Sequence, residues 1–330
     1  MLNDTLSPAE TSPPSFLEHR LGPHLPALAR FRSTKELEAS RLYASLRAEV
    51  ERVLGAVVGE EFAPEGRGGV GPSASPGVGA VRVTAWNVER GTQFENILRV
   101  LSEHPRVRAS DVLLLTELDW GMARSSNRLV ARELAAALGY VYAFAPCYLA
   151  LNKGSGLESG VAGENTWALH GNAVLARYPL RGAHSLALPN GKDKMRGKEK
   201  RLGSQRAVVA DVLHPSGTFR AVSLHLDAHS TQSHRRRQMR LLLEHLERLP
   251  HADLPVLVGG DWNTSTYNSR RAAYSIAGFF RRVMMGVGHV IENHYAHPER
   301  WFERRLFAEL EARGYSYQDL NEPGAGTLHY

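Results

Sequence analysis

An apolar run that ends in two glycines and two polar side chains constrains the fold of this chain more than any other stretch. Residues 255–258 read Pro-Val-Leu-Val, which predicts a buried β-strand. Gly259 and Gly260 allow a sharp turn, and Asp261 and Asn263 follow, two positions apart. Because side chains at i and i+2 of an extended segment point to the same side, a carboxylate and a carboxamide are predicted to lie together. Taken alone, the segment fits an ordinary Asp/Asn turn equally well.

A predicted strand–helix–strand unit nearer the start of the chain also ends in polar side chains. A segment of alternating hydropathy ends at Asn87 and Glu89, and an apolar strand stops directly before Glu117. A short helix is predicted between the two strands, over residues 94–104. Glu117 is a candidate ligand for Mg²⁺ or Mn²⁺, since these ions prefer hard oxygen donors. Taken singly, Glu117 also fits a solvated strand end, and Asn87 also fits a turn.

Two further strands, over residues 207–213 and 220–226, are predicted to pair around a Pro-Ser-Gly turn. The second strand carries His225 near its end, where an imidazole can donate a hydrogen bond to a phosphate oxygen or act as a general acid. A helix predicted from residue 233 to 249 opens with consecutive arginines. Arg236 is a candidate substrate ligand, because a guanidinium can donate two hydrogen bonds to phosphate oxygens. Other arginines of this helix are expected to face water.

Two other stretches leave both a functional and a structural interpretation open. His170 and Asn172 lie in a predicted strand over residues 167–177 and are candidate substrate ligands, although His170 could instead satisfy a structural partner. Residues 192–201 carry six basic side chains, which suit either a phosphate-attracting surface or a solvated hairpin tip. Aromatic residues do not alternate with these charges, so the sequence does not predict a base-stacking platform.

The composition is typical of a globular protein, with 43% hydrophobic and 22% charged residues. The formal net charge of +6 favours anionic partners without choosing among them. The single cysteine, Cys147, excludes an internal disulfide framework, and its apolar surroundings predict a packed thiol. The N-terminal residues carry no secretion-signal pattern, and no run is long and apolar enough to span a bilayer. We therefore expect a cytoplasmic protein without stable membrane insertion.

The N-terminal region is predicted to form an extension of the main domain. Residues 33–36 resemble a capping box, and an apolar stripe beyond them predicts a helix that runs to about Gly59. That helix could pack on the main domain, form a lid or make a dimer contact, so the oligomeric state stays open. Residues 63–80 are rich in Gly, Pro and Ser, which predicts a flexible linker. The expected domains are therefore an N-terminal helical extension with a disordered start (1–62), the linker (63–80) and a main domain (81–330).

Several of these motifs, in their order along the chain, resemble the endonuclease/exonuclease/phosphatase superfamily, which includes deoxyribonuclease I, abasic-site endonucleases, neutral sphingomyelinases and inositol-phosphate phosphatases. The resemblance covers roughly residues 81 to 265. The matching motifs are Trp86-Asn87-Val88-Glu89, Thr116-Glu117, His170-Gly171-Asn172-Ala173, Ser223-Leu224-His225-Leu226 and Gly260-Asp261-Trp262-Asn263. The resemblance implies an α/β (α+β) fold, a four-layer α/β/β/α sandwich of two packed mixed β-sheets flanked by helices, here with the N-terminal helical extension.

The resemblance also implies a role for individual residues. Glu117 matches the family's metal-binding glutamate, and Asn87 matches the asparagine beside the metal and the phosphate. His225 matches the histidine that contacts or protonates the phosphate ester. Asp261 matches the aspartate that orients or deprotonates the attacking water, and Asn263 the asparagine that holds a phosphoryl oxygen. These roles agree with the chemistry, because phosphate ester hydrolysis needs an aligned water and stabilised charge on the phosphoryl oxygens.

The sequence departs from the family pattern near its C-terminus. The family continues with a strand that carries an aspartate and then a Ser-Asp-His segment, whereas no Asp-His pair occurs in this sequence. The last residues, 326–330, resemble the part that precedes those strands, and His329 lies in a different context. The catalytic domain is therefore expected to be C-terminally short and to lack its last strands.

These observations predict a Mg²⁺-dependent phosphoesterase, with Mn²⁺ as the alternative cation. A phosphodiester is the expected substrate, and the sequence does not separate nucleic acid from a lipid or sugar phosphodiester. The alternative is a non-catalytic phosphate-binding relative that has lost the final Ser-Asp-His segment. A third interpretation is an α/β protein whose polar strand ends are only turns.

Overall fold

The computed structural model describes residues 13–62, 80–264 and 272–321. Two compact units can be separated within them. The first unit comprises the described residues of Met1–Ala187, Asp193–His225 and Asp253–Asp261, and the second those of Leu188–Lys192, Leu226–Ala252 and Trp262–Tyr330. The predicted linker, except for Ala80, lies outside the described residues, as do residues 1–12 and His329. The domain boundaries expected from the sequence therefore stay a prediction.

The described helices and strands follow the order expected of an α/β chain. The helices are α1 (Leu25–Leu28), α2 (Thr34–Glu38), α3 (Arg41–Gly55), α4 (Phe94–Glu103), α5 (Val130–Leu138), α6 (Gln232–Leu246), α7 (Ala272–Met285), α8 (Val287–Val290) and α9 (Arg304–Glu311). The strands are β1 (Val58–Glu61), β2 (Val83–Arg90), β3 (Val112–Trp120), β4 (Val141–Ala150), β5 (Leu169–Ala176), β6 (Leu180–Ala187), β7 (Arg201–Gly203), β8 (Arg206–His214), β9 (Gly217–His225) and β10 (Val256–Asp261). Among the described residues, no helix combines the length and the apolar character needed to cross a bilayer.

The first unit contains two mixed β-sheets. The first sheet has the order β1-β4-β5-β3-β2, with β7 paired to β4, and the second has the order β10-β9-β8-β6. Each sheet has one parallel pair, β2 with β3 and β9 with β10, while its other pairs are antiparallel. Parallel neighbours end at the same edge of a sheet. The polar residues at the ends of these four strands therefore lie side by side in two pairs.

Apolar side chains from the two sheets pack against each other. Buried residues of β3, β5, β8 and β9, including Leu114, Val174, Val208 and Ala221, form a common core. The hydroxyl of Ser223 on β9 donates to the Leu115 carbonyl oxygen on β3 at 2.8 Å, which ties the sheets together near the ends of both strands. A second core lies between the first sheet and helices α3, α4 and α5. The predicted fold of two packed mixed sheets with flanking helices is confirmed.

The N-terminal helix differs from the prediction in its length. Ser33 caps α2 by accepting from the Glu36 N–H, but Glu36 accepts from the Arg32 N–H, so the expected capping box is half formed. Ser40 begins the separate helix α3, which ends at Gly55 rather than near Gly59.

Strand β1 takes the place of the last predicted helical turn. The β-branched Val58 opens this strand, which pairs with β4 and leaves Gly59 opposite Ala143. A Cβ atom on Gly59 would lie 2.4 Å from the Tyr142 carbonyl oxygen, so this close approach of backbones requires a glycine. The N-terminal segment thus completes one edge of the first sheet.

The second unit is mainly helical over its described residues. Helices α6 and α9 pack together, and an ion pair between Arg235 and Glu303 is fully buried within the unit. The sequence predicts helices over 270–285 and 298–313, whereas α7 is described from Ala272 and α9 covers only Arg304–Glu311. Pro298 begins a turn instead, and its carbonyl oxygen accepts from the Glu303 N–H at 2.8 Å.

Candidate functional site

Four strand ends of the first unit bring Asn87, Glu117, His225 and Asp261 together. His225 and Asp261 are register partners on the parallel strands β9 and β10. The His225 Nδ1 atom lies 3.9 Å from Oε1 of Glu117, and its Nε2 atom lies 3.9 Å from Oδ2 of Asp261. One imidazole therefore lies between two carboxylates, at the edge where both parallel strand pairs end. The sequence predicted this grouping of the four residues.

Asn87 connects the ends of the two sheets. Its Nδ2 atom donates to Oδ2 of Asp261 at 2.9 Å, while its Oδ1 atom accepts from the Glu89 N–H at 3.0 Å. The amide nitrogen thus faces the carboxylate, and one lone pair of the amide oxygen is left for a further partner. Glu89 itself has a φ of 44°, so the expected extended geometry in which Asn87 and Glu89 share a side is not formed.

Glu117 lies at an irregularity inside β3 rather than directly after a strand. The pairing of β3 with β5 shifts register between Leu115 and Leu118, and Glu117 has a φ of 58°. A bulge leaves its backbone N–H without a ladder partner. Asn172 on β5 supplies one, because its Oδ1 atom accepts from the Glu117 N–H at 3.3 Å. A left-handed conformation at a non-glycine residue costs about 1–3 kcal/mol, and such strain is typical of functional sites.

Neighbouring imidazoles, a guanidinium and an amide keep the Glu117 carboxylate charged. Burial alone would raise the pKa of Glu117, but His225, His170 and Arg90, together with a hydrogen bond from Asn87, hold that pKa below its usual value. The side chain is 23% exposed, so it is accessible as well as ionised at neutral pH. These are properties that a ligand for a cation requires.

His170 belongs to a buried charge network. Its Nδ1 atom lies 2.8 Å from Oδ1 of Asp119, and Arg124 makes two hydrogen bonds to the same carboxylate. Arg124 also pairs with Glu158 and Glu199. Burial lowers the pKa of His170 despite Asp119, which favours a neutral ring. The structural interpretation of His170 therefore agrees with its surroundings, and the expected contact with substrate stays a prediction.

Asn172 also has a structural role. It is 2% exposed, and its Nδ2 atom donates to the Arg206 carbonyl oxygen at 2.8 Å. Both ends of the amide are thus engaged within the first unit, one on the Glu117 backbone and the other on β8. This side chain holds the bulge that presents Glu117.

Two of the predicted site residues belong to the second unit. Asn263 has a φ of 51°, so the expected extended geometry is wrong at this residue, and its Nδ2 atom donates to the Leu226 carbonyl oxygen at 2.8 Å. Arg236 pairs with Glu309 at 2.8 Å across α6 and α9. Their predicted contacts with a phosphate stay predictions.

Sequence reasoning missed the side chains that support the site. Asp119 and Arg124 anchor His170, while Arg90 lies near Glu117 and pairs with Glu158 at 3.2 Å. A weak signal existed for Asp119, because a carboxylate inside an otherwise apolar strand requires a partner. The basic segment 192–201 offered no such signal. Its Glu199 and Arg201 nevertheless belong to the network of Asp119 and Arg124.

The carboxylate oxygens of Glu117 and the amide oxygen of Asn87 are the atoms best suited to hold a cation. Both are hard oxygen donors, and Mg²⁺ often takes only one or two protein carboxylates while it keeps several waters. The described part of the chain contains no group of three or more carboxylate, imidazole or thiol side chains arranged to hold a metal ion. A cation with few protein ligands fits the residues that are present.

No curated protein matches the chain. A solved endonuclease/exonuclease/phosphatase from Beutenbergia cavernae DSM 12333 shares 22% identity over 56% of this chain and 47% of its own, with a TM-score of 0.39. The human Nocturnin catalytic domain with bound sulfate shares 20% identity over 58% and 66%, with a TM-score of 0.40. The 3′ phosphatase NExo from Neisseria, bound to product DNA hairpin, shares 13% identity over 71% and 72%, with a TM-score of 0.39.

The present chain thus spans about half the length of the Beutenbergia structure and about two thirds of the Nocturnin domain. A family model provides the stronger match, because it covers residues 84–310 and includes the four grouped residues. Members of that family are hydrolases that act on phosphate esters and generally use divalent metals. Since the match covers more than half of the sequence, the chain belongs to the endonuclease/exonuclease/phosphatase family.

Proposed function

We propose that this chain is a metal-dependent phosphodiesterase that uses Mg²⁺ or Mn²⁺. The observation that supports this proposal most directly is the grouping of Asp261, Asn87, His225 and Glu117 at one edge of the two sheets. A carboxylate, an amide and an imidazole beside a second, accessible carboxylate are the groups that hydrolysis of a phosphate ester requires.

Asp261 is proposed to position the attacking water. Its side chain is 31% exposed, and the hydrogen bond from Asn87 fixes Oδ2, so Oδ1 has a defined direction. A carboxylate in this position can accept a proton from water as the new P–O bond forms. Because the carboxylate is held before substrate arrives, the geometry needs little rearrangement during the reaction.

His225 is proposed to stabilise the phosphoryl group, with Asn87 beside it. The imidazole lies 3.9 Å from each of the two carboxylates. It can donate to a phosphoryl oxygen or protonate the leaving oxygen. Asn87 is proposed to hold both carboxylates beside the phosphate, because its two amide hydrogens donate to Asp261 and to Glu117. Asn263 is proposed as an additional donor, as the family resemblance implies.

Glu117, with the amide oxygen of Asn87, is proposed to hold the divalent cation. A cation bound there supplies positive charge that stabilises the phosphoryl oxygens during displacement. The low pKa of Glu117 supports this role, since the carboxylate is ready to bind metal at neutral pH.

A phosphodiester is proposed as the substrate, in either nucleic acid or a lipid or sugar phosphodiester. The formal net charge of +6 supports an anionic partner of this kind. Cytoplasmic location is proposed from the sequence pattern alone.

Hydrolysis of bis-p-nitrophenyl phosphate tests the proposal. We expect turnover with Mg²⁺ or Mn²⁺, loss of turnover in EDTA, and a decrease of about 10²-fold or more for Glu117→Gln and for Asp261→Asn. Glu38→Gln and Asp253→Asn are matched controls at exposed positions. Phosphate binding by a folded protein without turnover in any of these metals would instead support the non-catalytic alternative.

A further inference from the structure

A basic cavity lies within the second unit. Its volume is about 610 Å³, and its lining includes seven arginines from α6, α7 and the region around the start of α9. Two of them are paired, Arg236 with Glu309 and Arg240 with Glu244. A cluster of this density is costly to assemble, because like charges repel unless a counter-anion is bound.

Several of the cavity arginines are left for a ligand. Arg237, Arg281, Arg304 and Arg305 make no ion pair with any carboxylate in the described ranges. The cavity's own acidic group, Glu303, is held by the buried Arg235 and offsets little of this charge. The local excess of guanidinium groups therefore favours an anion with several oxygen acceptors, such as a phosphate ester.

The start of α6 adds to the positive potential. Thr231, Gln232 and Ser233 line the cavity, and Thr231 caps the helix by accepting from the His234 N–H at 3.2 Å. The helix is fifteen residues long, so its N-terminal end presents a substantial partial positive charge. The helix end and the arginines therefore both contribute positive potential to the cavity.

Helix α7 exposes an apolar face that an ordinary surface helix would bury. Gly278, Arg281, Arg282 and Met285 recur at spacings of one to three and line the cavity. The other side of the helix exposes large apolar side chains, each more than half accessible, namely Ile276, Phe279, Phe280, Val283 and Met284. A helix normally buries its apolar stripe, so this exposed stripe indicates an apolar environment outside the protein.

The apolar surface continues beyond α7. Val287, Ile291 and Trp301 are also more than half exposed, and Trp301 lines the cavity as well. Outside this region, large apolar side chains with comparable exposure in the described chain are scattered singly, at Phe16, Leu157 and Leu320. Helix α7 and Trp301 thus contribute to both the exposed apolar side chains and the arginine cavity, which together we call the α7 surface.

We infer that the α7 surface binds the interface of a membrane that contains anionic phospholipids, with lipid phosphate groups in the arginine cavity. An anionic bilayer provides both negative headgroups and an apolar phase within a few ångströms, which suit the cavity arginines and the exposed apolar stripe of α7. A second copy of the chain would bring two arginine clusters together. A free phosphate ester would leave the apolar side chains in water.

Vesicle co-sedimentation of the full chain tests the inference. We expect binding to vesicles of equal parts phosphatidylcholine and phosphatidylglycerol, weak binding to pure phosphatidylcholine, and release by salt. Arg281→Gln combined with Arg305→Gln should weaken binding at least about tenfold, because each basic residue near an anionic surface contributes about fivefold. Arg41→Gln combined with Arg106→Gln, an exposed pair of equal charge, should leave it nearly unchanged.

The apolar part is tested by Phe279→Ser combined with Met284→Ser, which should also weaken vesicle binding. Leu157→Ser combined with Leu320→Ser is the matched control, since both leucines are exposed elsewhere. Circular dichroism confirms folding of each variant. Hydrolysis of soluble bis-p-nitrophenyl phosphate, measured on the same proteins, should not change, so failure of this inference is distinguishable from failure of the proposed activity.

Three results would overturn the inference. The first is equal binding to neutral and anionic vesicles, since the arginines would then have no role. The second is binding of inorganic phosphate that depends on Arg281 and Arg305 without any vesicle binding. The third is self-association without lipid that Phe279→Ser and Met284→Ser abolish, which would assign the α7 surface to a second copy of the chain.

Discussion

Asn87 and Asp261, although 174 positions apart in the sequence, are joined by a hydrogen bond of 2.9 Å between Nδ2 and Oδ2. The bond links the end of a strand in the first sheet to the end of a strand in the second. Ser223 and Leu115 make a second link between the sheets, through a hydroxyl and a carbonyl oxygen. The relative position of the two sheets thus sets the direction of the proposed base.

Asn87→Ala is expected to lower kcat for bis-p-nitrophenyl phosphate by about 10²-fold, because it removes the hydrogen bonds that hold Asp261 and Glu117 in place. KM should change less than kcat, since the lost contacts are strongest in the transition state. Steady-state kinetics would check this, with Asn96→Ala on the exposed surface of α4 as the control. Equal turnover by Asn87→Ala and the control would exclude the proposed role.

Asn172→Ala is expected to affect both stability and cation affinity. The substitution leaves the Glu117 N–H and the Arg206 carbonyl oxygen without their partner, which should lower the free energy of unfolding by about 1–3 kcal/mol. The half-saturating Mg²⁺ concentration should rise, because the bulge that presents Glu117 is no longer fixed. Urea unfolding and Mg²⁺ titration of activity measure the two effects. A stability loss at constant Mg²⁺ dependence would make Asn172 purely structural.

Lowering the pH is expected to remove the contribution of Glu199 to the free energy of unfolding. Burial acts to raise its pKa, but Arg201 and Arg124 outweigh burial and lower it to about 2. Because the folded pKa lies below the unfolded value, the contribution is present above the unfolded pKa and is lost as the pH falls toward the folded one. At neutral pH it amounts to about 3 kcal/mol. The difference in unfolding free energy between wild type and Glu199→Gln should shrink from pH 7 to pH 3. A constant difference would contradict the low pKa.

Glu303 is expected to show the opposite pH dependence. Burial raises its pKa to about 7, even though Arg235 opposes that rise, and its Oε2 atom has no hydrogen-bond partner among the described residues. A raised pKa gives stability that is fully present below the unfolded value and is lost as the pH rises through about 7. Removing the carboxyl as Glu303→Gln should therefore abolish a decline in stability between pH 5 and pH 8. Urea unfolding at several pH values would detect the decline, and its persistence in the variant would assign it to another group.

Local sequence patterns predicted most strand ends of the site. Apolar runs identified β2, β3, β9 and β10, and each run ended near a polar side chain that the fold groups with the others. The left-handed backbone at Glu117 was not predictable, because the bulge arises from pairing with β5 and leaves no local mark in the sequence. The same limit applies to Asn263, whose conformation breaks the assumed extended geometry.

The Asp119 network was missed for a related reason. Its partners, Arg124, Glu158, His170 and Glu199, come from four separate segments, and no spacing rule connects them. The exposed apolar face of α7 was also missed. An amphipathic pattern shows that a helix has two faces, but the surrounding structure decides which face is exposed.

The pairing of β1 with β4 has a consequence for how the polypeptide holds together. Val58–Glu61 hydrogen-bonds along Val141–Phe144, so the N-terminal segment is part of the sheet rather than an appendage. A nick between residues 62 and 80 should therefore leave two fragments that remain associated and co-purify. Expressed separately, residues 1–62 should restore solubility to a polypeptide that begins at residue 80, because they cover an edge that would otherwise recruit strands from neighbouring molecules.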